Sequence, residues 1–218
     1  MKPSDRYDTS ALPEAQFELG SRGRVLRNKL RIKSKREMDE AESVALKIAT
    51  DKLLGMYDAG HRFTADDIRS MHKIWLGDIY DWAGEYRQVN VSKGDFHFAA
   101  AKQVPLLMTE LQKGPLHKHT PCNFKSMERV IQALAEVHVE LVLIHPFREG
   151  NGRVARILST LMAFQAGLPM LNFKDITDGK RKHYFAAINY GLNRDYRPME
   201  KLFEQIITTT QKTKSGEI

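Results

Sequence analysis

His145-Pro-Phe-Arg-Glu-Gly-Asn-Gly-Arg-Val-Ala-Arg156 is the stretch on which the reading of this chain turns. On its N-terminal side, residues 126–144 repeat apolar side chains at three- and four-residue spacing, so that Val130, Leu134, Val137, Leu141 and Ile144 share one helical face. On its C-terminal side a further helix is expected from Arg153 to Ala166, ended by Gly167 and Pro169. A loop between two amphipathic helices leads into a helix N-terminus. Its unpaired backbone N–H groups and the positive end of its dipole make a ready anion site.

The side chains around that terminus are those an anionic substrate needs. Gly150 and Gly152 let the backbone approach a ligand closely. Arg153 and Arg156 stand three apart on one helical face, and two guanidiniums suit a polyphosphate better than a single phosphate. Glu149 would be repelled by phosphates unless a cation lay between them, which argues for Mg²⁺. His145 is the nearby group whose ordinary pKa suits proton abstraction at neutral pH. Base, metal ligand and phosphate clamp point together to phosphoryl or nucleotidyl transfer. Singly, each residue has a bland reading as a helix stop, a solvated acid, a tight turn or a solvated face; their occurrence in this order favours chemistry.

Working outward, the pattern turns helical from Glu37, with Met38, Ala41, Ala45, Ile48, Ala49 and Leu53 in register and Gly55 and Gly60 bracketing the end. Thr64-Ala-Asp-Asp reads as an N-cap, opening a helix that buries Ile68, Met71, Ile74 and Trp75 and fades near Tyr80. Gly84 to Val91 reads as a strand, Ser92-Lys-Gly-Asp as a turn and Phe96-His-Phe as a short return strand. Further helices are expected over about Lys102–Gln112, from a Thr177 cap to about Leu192, and from near Pro198. The predicted fold class is all-α: a helical bundle with one small β-hairpin. The expected organisation is a basic N-terminal arm over 1–36, a catalytic domain over 37–212 and a tail over 213–218.

Composition narrows the function classes. A net charge of +7 invites a nucleic-acid reading, but the charge is scattered. Its densest run, Arg22 to Arg36, lacks interleaved aromatics and reads as a solvated arm or a surface for an acidic partner. A lone cysteine, Cys122, excludes an intrachain disulfide and a cysteine metal site. There is no run of about 18 apolar residues and no apolar secretory stretch at the start, so a cytoplasmic setting without a membrane partner is expected. His138 reads as a packed core histidine and Trp75 and Trp82 as core. His61, His72, His117 and His119 show no metal-ligand spacing, and His117-Lys-His119 reads as exposed loop. The run Lys180-Arg-Lys-His183 reads as a solvated first helical turn.

The twelve residues from His145 to Arg156 match the Fic-domain signature His-x-Phe-x-(Asp/Glu)-Gly-Asn-Gly-Arg-x-x-Arg at every defined position. The resemblance covers roughly residues 28–205, including Trp82-Ala-Gly-Glu-Tyr-Arg. It implies a Fic-type helical bundle that transfers AMP from ATP to a Ser, Thr or Tyr hydroxyl of a target protein. By that resemblance His145 deprotonates the hydroxyl, Glu149 holds Mg²⁺, Asn151 and the loop amides hold the α-phosphate, Arg153 the β-phosphate and Arg156 the γ-phosphate. Phe147 would anchor the loop in the core. The expected ATP-binding set is Arg148, Gly150, Asn151, Gly152, Arg153 and Arg156, with Tyr184, Asn189 and Tyr190 as adenine candidates. The hairpin, about Val89 to Phe98, resembles the family's flap, and Val91, Ser92, Lys93, Gly94, Asp95 and Phe96 would dock the target.

For control, Thr213-Lys-Ser-Gly-Glu217 is a partial match to the family's inhibitory helix. Leu26-Arg-Asn-Lys-Leu30 and the helix after it resemble Fic toxins held by a separate antitoxin-like protein. Delivery to another cell as an effector is an alternative setting. The rival functions are a kinase-like phosphotransfer from the same fold, or a non-catalytic module that binds nucleotide or nucleic acid.

Overall fold

The computed structural model describes residues 12–94, 96–174 and 181–215, the side chains of 181 and 213–215 excepted. Residues 1–11 of the expected arm, Asp95 of the expected flap, the Thr177 cap, Lys180 and the end of the 213–217 match lie outside them.

Helix α1 (Lys35–Leu54) starts where the Ser34 side chain accepts the Glu37 N–H, and it stops at Gly55. It turns Met38, Ala49 and Leu53 inward as expected, but also Glu42, while Val44 and Ile48 stay exposed. Helix α2 (Ala65–Leu76) opens with a reciprocal capping box. The Asp67 N–H donates to Thr64 Oγ1 at 3.1 Å and the Thr64 N–H to Asp67 Oδ2 at 2.8 Å. The pair α1 and α2 packs together, and α2 also lies against the helix Asn151–Gln165.

Residues 84–91 do not form the expected strand. Their backbone groups find other partners: the Gln88 and Val89 N–H groups donate to Glu14 Oε1 at 2.6 and 3.0 Å, and the Arg87 N–H to the Pro146 carbonyl at 2.9 Å. A ladder is therefore not needed to satisfy this segment. The hairpin is confined to β1 (Ser92–Lys93) and β2 (Phe96–His97), antiparallel, with Ser92 opposite His97 and Lys93 opposite Phe96. Ser92 and Lys93 thus belong to a strand rather than to the turn, while Gly94 stays in the turn.

After a 3₁₀ turn, α3 (Val104–Leu111) runs through a wider π turn at Gln112–Leu116 into the short α4 (His117–His119). Pro115 lies in the π turn and has no N–H to donate to an α-helical ladder. The stretch His117-Lys-His119 is not an exposed loop. Its His119 is buried and reaches Glu136 at 2.6 Å, and hydrogen bonding from His119 is the largest influence holding that carboxyl down to about 2.

The central element is α5 (Met127–Ile144), capped by Ser126, whose hydroxyl accepts the Arg129 N–H at 3.2 Å. Around it pack α3, α6 (Asn151–Gln165), α7 (Arg181–Tyr190) and α8 (Arg197–Ser215). His138, fully enclosed on α5, sits between Ser159 Oγ at 3.0 Å and the Tyr184 hydroxyl at 2.8 Å, as expected of a core histidine. At Gly191, beyond α7, a Cβ would lie 2.1 Å from Val139 Cγ1, so only glycine lets this connection reach α5. The basic side chains of residues 22–36 are exposed, yet the segment is not loose. Val25 and Leu26 are buried, and the Asn28 side chain bridges the carbonyls of Leu26 and Ile32 at 3.0 and 2.9 Å. Among the described residues no helix is long and apolar enough to cross a membrane.

The capping box makes a direct prediction. Replacing Thr64 by Ala is expected to lower stability by about 1 kcal/mol in denaturant unfolding, and Thr64→Ser by much less. Equal midpoints for wild type and Thr64→Ala would show that the cap contributes nothing.

Candidate active site

Helix α5 ends because His145 adopts a left-handed conformation, φ 52° and ψ 59°, with its N–H on the Leu141 carbonyl at 3.1 Å, and Pro146 cannot extend the helix. The last carbonyls of a helix have no partner inside it. Here one buried guanidinium supplies them. Arg87 Nε donates to the His145 carbonyl at 2.6 Å and Nη2 to that of Ile144 at 3.3 Å. Its other donors reach Val89 at 2.8 Å and Ala99, on either side of the hairpin. Sequence reasoning missed Arg87, because a strand reading places alternate side chains outward.

The His145 ring is fixed from two sides. Its Nδ1 lies 3.1 Å from the Val142 carbonyl, which can only accept, so the proton sits on Nδ1 and Nε2 keeps its lone pair. Phe98 from the hairpin stacks on the ring at 3.6 Å and 20°. Burial is the main cause that pushes His145 down to about 4; Arg87 and Lys93 act the same way, while the Val142 carbonyl and Glu149 oppose. At neutral pH this histidine is an unprotonated base.

A second histidine holds the loop from behind. The Gly84 N–H donates to His72 Nδ1 at 2.8 Å, which leaves Nε2 to donate to the Glu149 carbonyl at 3.1 Å. The His72 ring stacks on Phe147 at 3.9 Å and 10°, and Phe147 is fully buried, as expected of a loop anchor. His72, which showed no metal-ligand spacing in the sequence, is a support of the site. Asn151 closes the loop on itself: its Oδ1 accepts the Phe147 N–H and its Nδ2 donates to the Phe147 carbonyl, both at 2.8 Å. The Asn151 side chain therefore shapes the turn, and the first N–H groups of α6 carry no side-chain cap. Gly150, at φ 83°, touches the indole of Trp75; a Cβ there would lie 2.5 Å from Cζ3.

A cavity of about 610 Å³ opens at this terminus. Val91, Ser92, Lys93, Phe96 and Phe98 form one wall, His145 and residues 148–153 the floor, and Phe185, Ile188 and Asn189 of α7 the opposite wall. Of the three adenine candidates only Asn189 lines it; Tyr184 is buried on His138 and Tyr190 points to solvent. The spacing Phe185, Ile188, Asn189 is that of one helical face and is the signal that marks this wall in the sequence. The hairpin reaches the same wall, with Lys93 Nζ over the Phe185 ring at 4.0 Å.

The two arginines of α6 are not equivalent. Arg153 lines the cavity, stacks over Trp75 at 4.5 Å and donates to Glu42 Oε2 at 2.7 Å and to Glu149 Oε1 at 3.4 Å. Arg156 is half-buried and is not among the side chains that line the cavity; burial is the main cause that lowers the pKa of its guanidinium. Arg148 lines the cavity mouth and ties back to the Glu14 carbonyl at 3.0 Å through Nε. Glu149 is largely exposed, with Oε1 accepting the Gly150 N–H at 2.9 Å.

With this geometry in view, a model of the Fic/DOC family matches residues 62–163. This chain carries a Fic domain. The "probable protein adenylyltransferase Fic" of Escherichia coli K12 is 29% identical over 191 residues, 84% of this chain and 88% of that protein. The protein adenylyltransferase VbhT of Bartonella schoenbuchensis is 30% identical over 162 residues, 74% of this chain but only 33% of that longer protein. Among solved structures, the BepC effector of Bartonella tribocorum with bound AMPPNP superposes with a TM-score of 0.67 at 23% identity. That match covers 83% of this chain and 91% of that one, and it bears on the fold alone.

Three histidines in and around the loop make stability depend on pH. Burial holds His72 and His138 down to about 3 and His145 to about 4. In the unfolded chain they titrate near ~6.5. The unfolded state then binds more protons as pH falls, so this stabilisation is complete above about 6.5 and lost progressively below it. Each group contributes up to about 1.4 kcal/mol per pH unit. Thermal melts are expected to drop steeply from pH 7 to pH 5; a flat profile would mean the three rings are not held neutral.

Proposed function

We propose that this Fic protein is a protein adenylyltransferase that moves AMP from ATP to a Ser, Thr or Tyr hydroxyl of a target protein. The observation that carries the reading is a half-buried, neutral His145 whose Nε2 lone pair is left for substrate, on the floor of a cavity at the N-terminus of α6. Relatives similar over most of this chain carry the same activity in their names.

In this reading the target hydroxyl gives its proton to His145 Nε2, and its oxygen attacks the α-phosphorus. The bond from that phosphorus to the bridging α–β oxygen breaks, and pyrophosphate leaves with the electron pair. First-turn N–H groups of α6 at Asn151 and Gly152 hold the α-phosphate; the Asn151 side chain sets the turn that presents them. Arg153 meets the β-phosphate, Arg156 closes on the γ-phosphate, and Arg148 guards the mouth. Positioning and charge neutralisation supply most of the catalysis.

Glu149 is the carboxylate that would hold Mg²⁺. It is exposed beside the anion site, and among the described residues no group of three acids, histidines or cysteines could hold a metal. One carboxylate plus substrate phosphates and water is the way Mg²⁺ is usually bound. A bound Mg²⁺ would neutralise charge on the leaving pyrophosphate.

The target is read as an extended segment laid along the hairpin, where Val91, Ser92, Lys93, Gly94 and Phe96 offer backbone pairing beside Phe98 and His145. Residues 37–212 are the catalytic domain, to which the preceding segment adds Glu14 as a brace. Control is assigned to a separate antitoxin-like protein, and the setting to the cytoplasm or, for an effector, to a second cell.

The test uses the purified chain and its His145→Ala variant with Mg²⁺, host lysate and ATP labelled at the α- or the γ-phosphate. Label from α-ATP on protein is expected, reduced about 10²–10⁴-fold in the variant while ATP affinity by calorimetry stays nearly unchanged. Label from γ-ATP alone would make it a kinase. Loss of ATP binding in the variant would remove His145 from the role of base.

A further inference from the structure

Helix α1 lies outside the signature, yet it reaches the site through one side chain. Glu42 is 3% exposed, on a face that otherwise buries Met38, Ala49 and Leu53. A carboxylate is not buried in such a place without partners, because desolvation penalises the charge. Glu42 has a full set. Oε1 accepts the Tyr80 hydroxyl at 2.7 Å, Oε2 accepts Arg153 Nη1 at 2.7 Å, and its backbone carbonyl accepts Trp75 Nε1 at 2.9 Å. The same Trp75 ring lies under the Arg153 guanidinium at 4.5 Å and against Gly150.

The two acids on Arg153 differ in kind. Glu149 is exposed and 3.4 Å away, a contact that an incoming phosphate can replace. Glu42 is enclosed and bonded on both oxygens, its contact with Arg153 the shorter of the two at 2.7 Å. Glu42 therefore stays on Nη1 with or without ligand, and stacking on Trp75 fixes the plane of the guanidinium. The Nη2 edge is left to turn toward the cavity. An arginine whose fork is preset loses less freedom when it binds an anion.

We infer that Glu42 is a positioning residue of the nucleotide site, acting through Arg153 to favour nucleotides that carry phosphates beyond the first. This rests on the proposed role of Arg153. Glu42 touches no substrate; its effect is to make ATP, rather than AMP, the nucleotide the site holds.

The experiment measures ATP and AMP affinity by calorimetry in the presence of Mg²⁺, on the full chain and on Glu42→Gln, Tyr80→Phe and Arg153→Ala, with thermal melts alongside. Glu42→Gln is expected to weaken ATP binding about tenfold and AMP binding less than about twofold, the scale of one charge-assisted hydrogen bond. Tyr80→Phe should move the ratio the same way by less, and it carries the test if Glu42→Gln does not fold. A variant that weakens both nucleotides equally, or neither, would overturn the inference by making Glu42 a structural residue. Tighter ATP binding would overturn it by making Glu42 a competitor of the phosphates. If Arg153→Ala changes the ATP-to-AMP ratio and neither Glu42→Gln nor Tyr80→Phe does, only this inference fails. If Arg153→Ala leaves the ratio unchanged, the phosphate role of Arg153 fails and takes the inference with it.

Discussion

The site depends on one buried guanidinium at the end of one helix. The last carbonyls of α5 have no partner inside the helix, and a buried side chain supplies one. Arg87, 1% exposed, donates to the carbonyls of Ile144 and His145 and, on its other edge, to those flanking the hairpin. Burial lowers its pKa and the Glu14 charge works against that, so the acid from the preceding segment belongs to the same arrangement. Fixing this helix end allows His145 to sit in a left-handed conformation, which is costly for a residue with a Cβ. It also holds Phe98 over the histidine ring.

From that anchor the division of labour between two histidines follows. His72 is buried and His145 half-buried, and both are neutral, but their hydrogen bonds assign opposite nitrogens. His72 accepts from Gly84 and donates to the Glu149 carbonyl, so each nitrogen has a protein partner and the ring is structural. His145 donates to the Val142 carbonyl and keeps an unused nitrogen at the cavity. Burial alone does not distinguish a base from a brace. The count of protein partners does.

Much of this was legible in the chain because it is local. The loop from His145 to Arg156 carries its turn, its anion site and its basic residues within a dozen positions. The Thr64 cap bonds to a residue three positions on. What stayed hidden is held by distant partners. Glu42 and Arg153 meet across 111 positions, and a helical stripe reading places any charge on the solvent face. Gly84 to Val91 has strand-like residues but no strand to pair with, since Glu14 and Pro146 take its N–H groups. His119 reads as loop until Glu136, one helix away, supplies a carboxylate for it. On α7 Asn189 does line the cavity, but Tyr184 turns inward to His138 and Tyr190 to solvent, and Phe185 and Ile188 complete the wall instead.

The claim at the centre is that the enclosed His145 is an unprotonated base at neutral pH, with its proton on Nδ1. Its titration in the folded protein, followed by NMR of the labelled imidazole and assigned with His145→Ala, tests that directly. The account requires a neutral Nδ1–H ring through the whole physiological range, with a midpoint shifted down to about 4. A midpoint near the ordinary histidine value of ~6.5, or a proton on Nε2, would contradict it.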